Sequence, residues 1–500
     1  MRRQAKNSTA VLVGPVVDCL RLERQLALLP NRPAIRGWIP TDTDPARALE
    51  RLGSTATLLG GLAELEPVLT RLRPDLALVT MPASMRDLVH SVRTRLRRIG
   101  VADRFMPTLQ DQLEGIGPRT ELSVDPAHLL DRSPRPVDDA AIRSVIEGRT
   151  VAITGAGGSI GGELARIVAR YAPQRVVLIE RSEGALFNID RQIARFSPDV
   201  PRAALLHDVV DASATREHFE RWRPEVVFHA AAHKHVPMME DHPAAAVDNN
   251  LFGTVSAVDA AIAVGAERFV MISTDKAVNP SSIMGATKRL AELYVQVANH
   301  GAATGCSMVR FGNVLGSSGS VLEIWTRQIA EGGPVTVTHP DMTRYFMTIP
   351  EAASLVIQSA ALLDPSCRTG EVFVLDMGEP VPVLDMARRF IEAHGLVPRV
   401  HGDTEPSPID SWVGGGETLE IVFTGARPGE KLFEELAYQA EAMRPTQHPG
   451  IHTWELAPPT PAFVASLLRR LDPERRPRGA AELARLIRTL VPEMTEPLAA

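Results

Sequence analysis

The chain has 500 residues, with 54 Lys+Arg against 60 Asp+Glu and a formal charge of −6. That balance excludes the basic face a nucleic-acid binder depends on, and the length implies more than one domain with sizeable cores. No apolar run approaches the roughly eighteen residues of a membrane span, so no integral membrane segment is expected.

Cys19, Cys306 and Cys367 are scattered and lack metal-ligand spacing. They predict neither a disulfide framework nor a metal site, and they fit a reducing, cytoplasmic setting. At the start, Arg2, Arg3 and Lys6 precede the apolar run 10–17 in the manner of a signal peptide. The run is short, meets Asp18 and Arg21 at once and has no small-residue cleavage site. A short tail (1–8) followed by a first β-strand is the expected reading.

Residues 9–121 alternate β-like runs with amphipathic stretches. Strands are expected at Ala10–Gly14, Ala34–Ile39, Thr55–Leu59, Asp75–Met81 and Arg104–Met106, and helices at Val16–Leu28, Leu62–Leu72 and Met85–Ile99. This alternation predicts a small parallel α/β domain. Its first strand ends at Gly14-Pro15, with one glycine where a dinucleotide binder needs several, and Pro15 removes a backbone donor. A Rossmann-like domain without a tight nucleotide site, serving regulation or assembly, is the expectation. Residues 122–148, with Pro126, Pro134 and Pro136 and one helical piece at 140–147, read as a linker.

A second βαβ pattern opens the next domain, 149–444. The strand Thr150–Thr154 runs into Gly155, Gly158 and Gly161, and then into a helix over 162–172. Around Ser159 and Ile160, unpaired N–H groups and a positive dipole end suit a pyrophosphate. The next strand, Arg175–Ile179, ends at Glu180, where an acid binds the adenosine ribose and repels a 2′-phosphate. This predicts NAD, with neighbouring Arg181 leaving NADP open. After a third short strand, Asp208 and Val209 fall where the adenine lies, although Asp208 serves equally well as a helix cap. Glu225–His229 leads to Ala230, Ala231 and Ala232, small enough for a planar cofactor to approach. Lys234 suits a phosphate or sugar contact. His233 and His235 have no third ligand nearby, so no metal is expected. Asn250, beside Asn249 in the following helix, is placed to brace this loop.

The strand Arg268–Ile272 ends in the polar stretch Ser273-Thr274-Asp275-Lys276, ahead of a helix. Strand end, loop and helix start is where an open α/β sheet gathers its chemistry. Met284 and Lys288, four apart, share one helix face. Asp275 and Lys276 form an acid and base at the strand end or, on the plainer reading, a solvated ion pair. Farther on, Glu371–Gly378 reads as a late strand of the main sheet, and Val321–Ala330 and Val383–His394 read as helices. Residues 445–500 read as a tail with helices Ala462–Leu471 and Ala480–Leu490, suited to packing or subunit contact.

Taken in order, the motifs are Thr154–Gly161, His229–Glu240, Ser273–Lys288, Arg310–Ser317, Pro334–Ile349 and Arg427–Leu432. From about residue 9 onward the chain resembles an extended short-chain dehydrogenase/reductase. More narrowly, it resembles the UDP-N-acetylglucosamine 4,6-dehydratases of the CapD-like polysaccharide-biosynthesis family, without the membrane helices of long members. The resemblance implies a Rossmann-like N-terminal domain, then an extended Rossmann core with an interleaved, smaller substrate lobe. It also implies a tightly bound NAD regenerated each turnover, a UDP-sugar substrate and a homo-oligomer.

The superfamily's Tyr-x-x-x-Lys pair is here Met284 and Lys288, and methionine has no proton to exchange. The resemblance is to a Met-containing subgroup, linked to retention at C5, in which Thr274, Asp275 and Lys276 carry the catalysis. Lys276 then removes the C5 proton, Asp275 donates to the departing C6 hydroxyl, Ser273 and Thr274 polarise the C4 ketone, and Lys288 holds the nicotinamide ribose. Asn313, Thr336, Arg344 and Arg427 are implied at the uridine diphosphate, with Glu430 at a ribose hydroxyl or an arginine. Two other functions fit the same motifs: a UDP-sugar epimerase, and a non-catalytic NAD-binding scaffold.

Overall fold

Runs rich in Val, Ile and Leu, apolar on both sides, form strands that are buried on both faces of parallel sheets. The computed structural model describes all residues except 1–8, 28–31, 83–84, 107, 109–128, 131, 133, 300–302, 364–370, 402–417, 437–442, 455–458, 492 and 495–500. The expected tail 1–8, most of the linker's first part and Cys367 lie outside the described residues. Two compact units are present, the first made of Met1–Val124, Ile329–Pro334 and Arg389–Ile421, and the second of the remainder.

In the first unit, β1 (Thr9–Gly14), β2 (Ala34–Pro40), β3 (Leu76–Val79) and β4 (Asp103–Phe105) form a parallel sheet in the order β2-β1-β3-β4. The stretch 55–59 is not a full strand and makes a single bridge, Leu58 to Trp38. A helix that periodicity did not reveal, Pro45–Arg51, is started by local chemistry: Asp44 accepts from Arg47 N, and proline occupies the first turn. Behind β1, Val16 N donates to Asp42 Oδ2 at 2.7 Å. A carboxylate therefore sits at the helix start where a phosphate would bind.

The second unit is built on a nine-stranded sheet. Its parallel strands are β5 (Thr150–Thr154), β6 (Arg175–Glu180), β7 (Arg202–Leu206), β8 (Val226–His229), β9 (Arg268–Ile272), β10 (Gly305–Arg310) and β11 (Glu371–Leu375). Two further strands, β12 (Met443–Pro445) and β13 (Ile451–Trp454), add antiparallel to β11. The spatial order is β12-β13-β11-β10-β9-β8-β5-β6-β7. The chain winds outward from β5 to β7 and returns to β8 on the other side of β5, so a crevice opens at the carboxyl ends of β5 and β8. The expected α/β architecture is borne out.

One apolar layer covers each face. The first includes Leu251, Val258, Leu290 and Leu293, together with Leu467, Leu471, Leu483 and Ile487. The second includes Ile142, Leu164, Ile189 and Val356. The C-terminal segment is thus partly sheet and partly core cover, and each fully buried leucine there contributes about 1.5–3 kcal/mol. Among the described residues no helix is long and apolar enough to cross a membrane.

Two buried polar clusters hold the strand ends. Glu292, on helix Ile283–Ala298, accepts from Arg310 Nε at 2.8 Å and Nη2 at 2.5 Å, and from Ser273 Oγ at 2.6 Å. Arg310 also stacks on Trp454, 4.6 Å from the ring centre. Burial pushes the Glu292 carboxyl up, but Arg310 and Arg289 outweigh it and keep the group below its ordinary value. At the end of β8, His229 lies between Thr154 Oγ1 (2.8 Å) and Thr254 Oγ1 (3.0 Å). Because the Thr254 hydroxyl donates to Asn250 O, it accepts from His229, which fixes the Nε2–H tautomer. Burial, helped by Lys288, pulls His229 down to about 3.

Glu292→Gln leaves Arg310 charged and buried, and should destabilise the protein by about 3–5 kcal/mol in urea titration. A change under about 1 kcal/mol would mean that the pair is not needed. For His229 the unfolded chain takes up a proton below 6.5 that the folded state refuses down to about 3. Its contribution is full above the first value and is lost at about 1.4 kcal/mol per pH unit as pH falls toward the second. Urea midpoints measured at several pH values should therefore fall less steeply with acid in His229→Gln. Parallel slopes in the two proteins would refute this.

Candidate active site

The glycine loop after β5 is shaped by backbone contact. A Cβ on Gly161 would run into Gly155 O, so only glycine lets the helix Ser159–Val168 start this close to the strand. Gly158 is the N-cap and has no side chain to cap the helix, which leaves Ser159 and Ile160 in an anion-ready first turn. Beside it lies a pocket walled by Gly155, Gly158, Ile179, Glu180, Arg181 and His207, and by Asp208, Val209, the alanines 230–232 and Asn249. Nine of the expected cofactor residues line it and three more, Ser159, Ile160 and Gly161, form its helix start, whereas Ile179, His207 and Asn249 were not among the expected cofactor contacts.

Glu180 accepts from Gly157 N at 3.2 Å and Ser182 N at 2.9 Å, so its carboxylate is set by two backbone donors. Arg181 reaches across to Asp208 at 3.6 Å and to Asn249 Oδ1 at 3.4 Å. Asn250 braces the loop after β8: its Oδ1 accepts from His233 N at 2.7 Å, and its Nδ2 donates to His233 O at 3.0 Å and Thr287 Oγ1 at 3.2 Å. Lys234, drawn down by burial, donates to Ser317 Oγ at 3.2 Å. Ser159 Oγ accepts from Ser318 N at 3.0 Å, which ties the glycine loop to the same segment.

At the end of β9 the loop is pinned to the end of β10 and the residue that follows it, with Ser273 N donating to Val309 O and Asp275 N to Phe311 O. Thr274 caps the short turn 275–277, accepting from Lys276 N, and donates to Asp275 Oδ1 at 2.8 Å. Lys276 Nζ donates to the same Asp275 oxygen at 3.0 Å and to Asn313 Oδ1 at 3.1 Å. Glu434 Oε1 stands 3.7 Å from that ammonium. Burial pulls the Lys276 amine down, but Asp275 and Glu434 outweigh it, so the group is held above its ordinary value as an ammonium.

The helix Ile283–Ala298 approaches this loop closely. A Cβ on Gly285 would fall into Lys276 O. Ser282 caps the helix by accepting from Gly285 N. Met284 is buried in the apolar layer, and Lys288, four residues on, is buried too and drawn down by burial to about 8.

The other expected site residues have partners of their own. Ser273 Oγ points into the Glu292 cluster. Asn313 meets Lys276. Arg344 is buried and bonds the carbonyls of Thr343, Lys431 and Leu432. Arg427 is held by Glu430 at 2.7 Å, and Thr336 is bonded to Gln328. Glu434 was missed altogether, because it lies 158 positions from Lys276 in sequence and no spacing rule links them.

Residues 151–455 match the model of a family described as "Polysaccharide biosynthesis protein". The chain is 38% identical over 454 residues to the probable polysaccharide biosynthesis protein EpsC of Bacillus subtilis, covering 90% of this chain and 72% of that protein. It is 29% identical over 295 residues to a UDP-N-acetylglucosamine 4,6-dehydratase (inverting) of Campylobacter jejuni, covering 58% and 78%. Among solved structures, Pen from Bacillus thuringiensis superposes with a TM-score of 0.53 at 28% identity, covering 63% of this chain and 89% of that one. On the family match and the relation to EpsC, the chain belongs to the polysaccharide biosynthesis protein family.

Proposed function

We propose that the protein is an NAD-dependent nucleotide-sugar 4,6-dehydratase that converts UDP-N-acetylglucosamine to a 4-keto-6-deoxy sugar for polysaccharide or glycan assembly. The observation that carries this reading is the joined set Thr274, Asp275, Lys276 and Asn313 beside Met284 and Lys288. An enzyme that only oxidises and reduces at C4 has no use for an acid–base pair at the loop, whereas removal of water across C5–C6 requires one.

The residues fit a dinucleotide. An uncapped helix start faces the pyrophosphate position, alanines floor the pocket, and the fixed Glu180 carboxylate suits a free ribose, which favours NAD over NADP. Bound NAD supplies the hydride acceptor for C4 and the hydride that is returned to C6. Lys288, buried and low in pKa, is assigned to the nicotinamide ribose. Thr274 is assigned to hydrogen-bond O4, which stabilises the ketone that acidifies C5.

Lys276 is assigned to take the C5 proton and then, as the ammonium, to meet the departing C6 hydroxyl. Asp275 is completely enclosed and accepts from both Thr274 and Lys276. We therefore assign it to orienting the amine, in place of the proton donation inferred from sequence alone. Since Met284 carries no proton, one lysine working on one face of C5 predicts retention there. The Campylobacter relative is named as inverting, so NMR of the product at C5 tests this point directly.

The purified protein incubated in D₂O with UDP-N-acetylglucosamine and NAD⁺ should release water and place deuterium at C5. An unchanged mass with an altered sugar would make it an epimerase, and absence of turnover would leave a scaffold. Lys276→Ala should fold and yet lose about 100- to 10,000-fold in kcat. Full activity in that variant would remove Lys276 from the mechanism.

A further inference from the structure

Lys276 must be a neutral amine to take a carbon-bound proton, yet its surroundings hold it as an ammonium. Something within the site has to take that proton away and give it back.

Two carboxylates flank the amine, and they are held differently. Asp275 Oδ1 accepts two hydrogen bonds, from Thr274 and Lys276. Its other oxygen, Oδ2, is enclosed beside Gly312 and, like Glu434 Oε2, has no hydrogen-bond partner among the described residues, so the two carboxylates differ in the two hydrogen bonds that only Asp275 Oδ1 makes to this cluster. Glu434 approaches Lys276 at 3.7 Å through Oε1, and its Oε2 is buried without a hydrogen-bond partner among the described residues. A buried carboxylate oxygen with no donor is costly when charged and tolerable when protonated.

The segment that carries Glu434 is fastened to the catalytic loop. Lys431 Nζ donates to Val278 O at 3.0 Å, Ser281 Oγ to Gly429 O at 3.1 Å and Asn279 Nδ2 to Glu435 Oε2 at 2.9 Å. Arg344, bonded to the carbonyls of Lys431 and Leu432, holds the segment from the other side, 4.0 Å from Glu434 Oε1. The charged and titratable groups facing the pair are Asp275, Arg344 and Lys431, with Tyr345 close to Asp275.

We propose that Glu434 is the internal proton partner of Lys276, a positioning residue that accepts the ammonium proton while the amine works on the sugar and returns it afterwards. This rests on the dehydratase reading above. The step balances within the pair. An N–H bond of Lys276 breaks with its electrons left on nitrogen, and an O–H bond forms on Glu434, so the ion pair becomes a neutral pair with no change in net charge. The freed amine then takes the C5 proton, and the C5–H electrons become the C5–C6 double bond. The new ammonium passes that proton to the C6 oxygen, which leaves as water with its bonding pair, and Glu434 gives the stored proton back to Lys276. When hydride returns to C6, the electron pair left at C5 takes this proton from Lys276, and the proton given up by the C4 hydroxyl on its oxidation makes the ion pair whole again. In D₂O these exchangeable positions carry deuterium, which is what reaches C5. Closure of a substrate over the site drives the first transfer, because drying raises the carboxyl and lowers the amine. Burial already pushes Glu434 up, with Asp275 adding to it.

Because Lys276 hands its proton to Glu434 and takes it back within the pair, the full-length wild type turning over UDP-N-acetylglucosamine with NAD⁺ should show a flat kcat across roughly pH 6 to 7, below the range in which Lys288 titrates. In Glu434→Gln the Lys276 proton must go to solvent. Its kcat should fall about 100-fold at neutral pH, climb about tenfold per pH unit and leave KM within about threefold. C5 deuterium incorporation should fall in step, while NAD⁺ binding and the melting temperature stay near wild type. Glu434→Asp should restore the flat profile at a lower rate.

A Glu434→Gln enzyme with a flat profile and kcat within about threefold of wild type would overturn the role of Glu434 and leave the dehydratase reading standing. If Glu434→Gln does not fold, the wild-type profile decides: a tenfold rise per unit through neutral pH overturns the proposal. A wild type that releases no water and incorporates no deuterium at C5 overturns the dehydratase reading and this inference together.

Discussion

The site region depends on one buried ion pair. Glu292 and Arg310 are both fully enclosed, and between them they join the helix Ile283–Ala298, the end of β10 and, through Ser273, the end of β9. A charge pair without water is tolerated only when every partner is in place. That requirement fixes the point at which Thr274, Asp275 and Lys276 leave the sheet. Gly285 then allows the helix to press against the carbonyl of Lys276. The position of the polar loop is thus set from beneath, by buried atoms of the sheet and the helix.

On this frame two lysines twelve positions apart are driven in opposite directions. Lys288 is surrounded by apolar helix and sheet and sits beside a neutral histidine, so burial dominates and its amine falls to about 8. Lys276 is more exposed, with 20% of its side chain accessible, and it is flanked by Asp275 and Glu434 and held as an ammonium. The sequence shows only two lysines near a loop. Their difference arises from which carboxylates the fold brings within a few ångströms, since a charge at that range outweighs desolvation.

Much of the architecture was legible in the residues. The strands from Thr150 to His229, the glycine loop and the helix carrying Met284 and Lys288 follow from apolar runs, turn residues and a four-residue spacing, all of them local signals. The strand expected at 55–59 shrank to one bridge because β-propensity needs a partner to pair with. The segment after 445, expected as a helical tail, supplies strand β13 because its Ile451 and Trp454 complete an open edge beside β11. Neither outcome is written in the segment itself.

By itself, the sequence determined the α/β class, the dinucleotide-type loop and the neighbourhood of the polar cluster, because each rests on the spacing of nearby residues. Tertiary structure alone decided the partners. It turned Arg344 onto the carbonyls of Lys431 and Leu432, brought Asn313 to Lys276 and delivered Glu434 to the same amine from 158 positions away. Such meetings depend on how strands are ordered in the sheet and where loops cross it, and no periodicity within a segment encodes the distance between two segments.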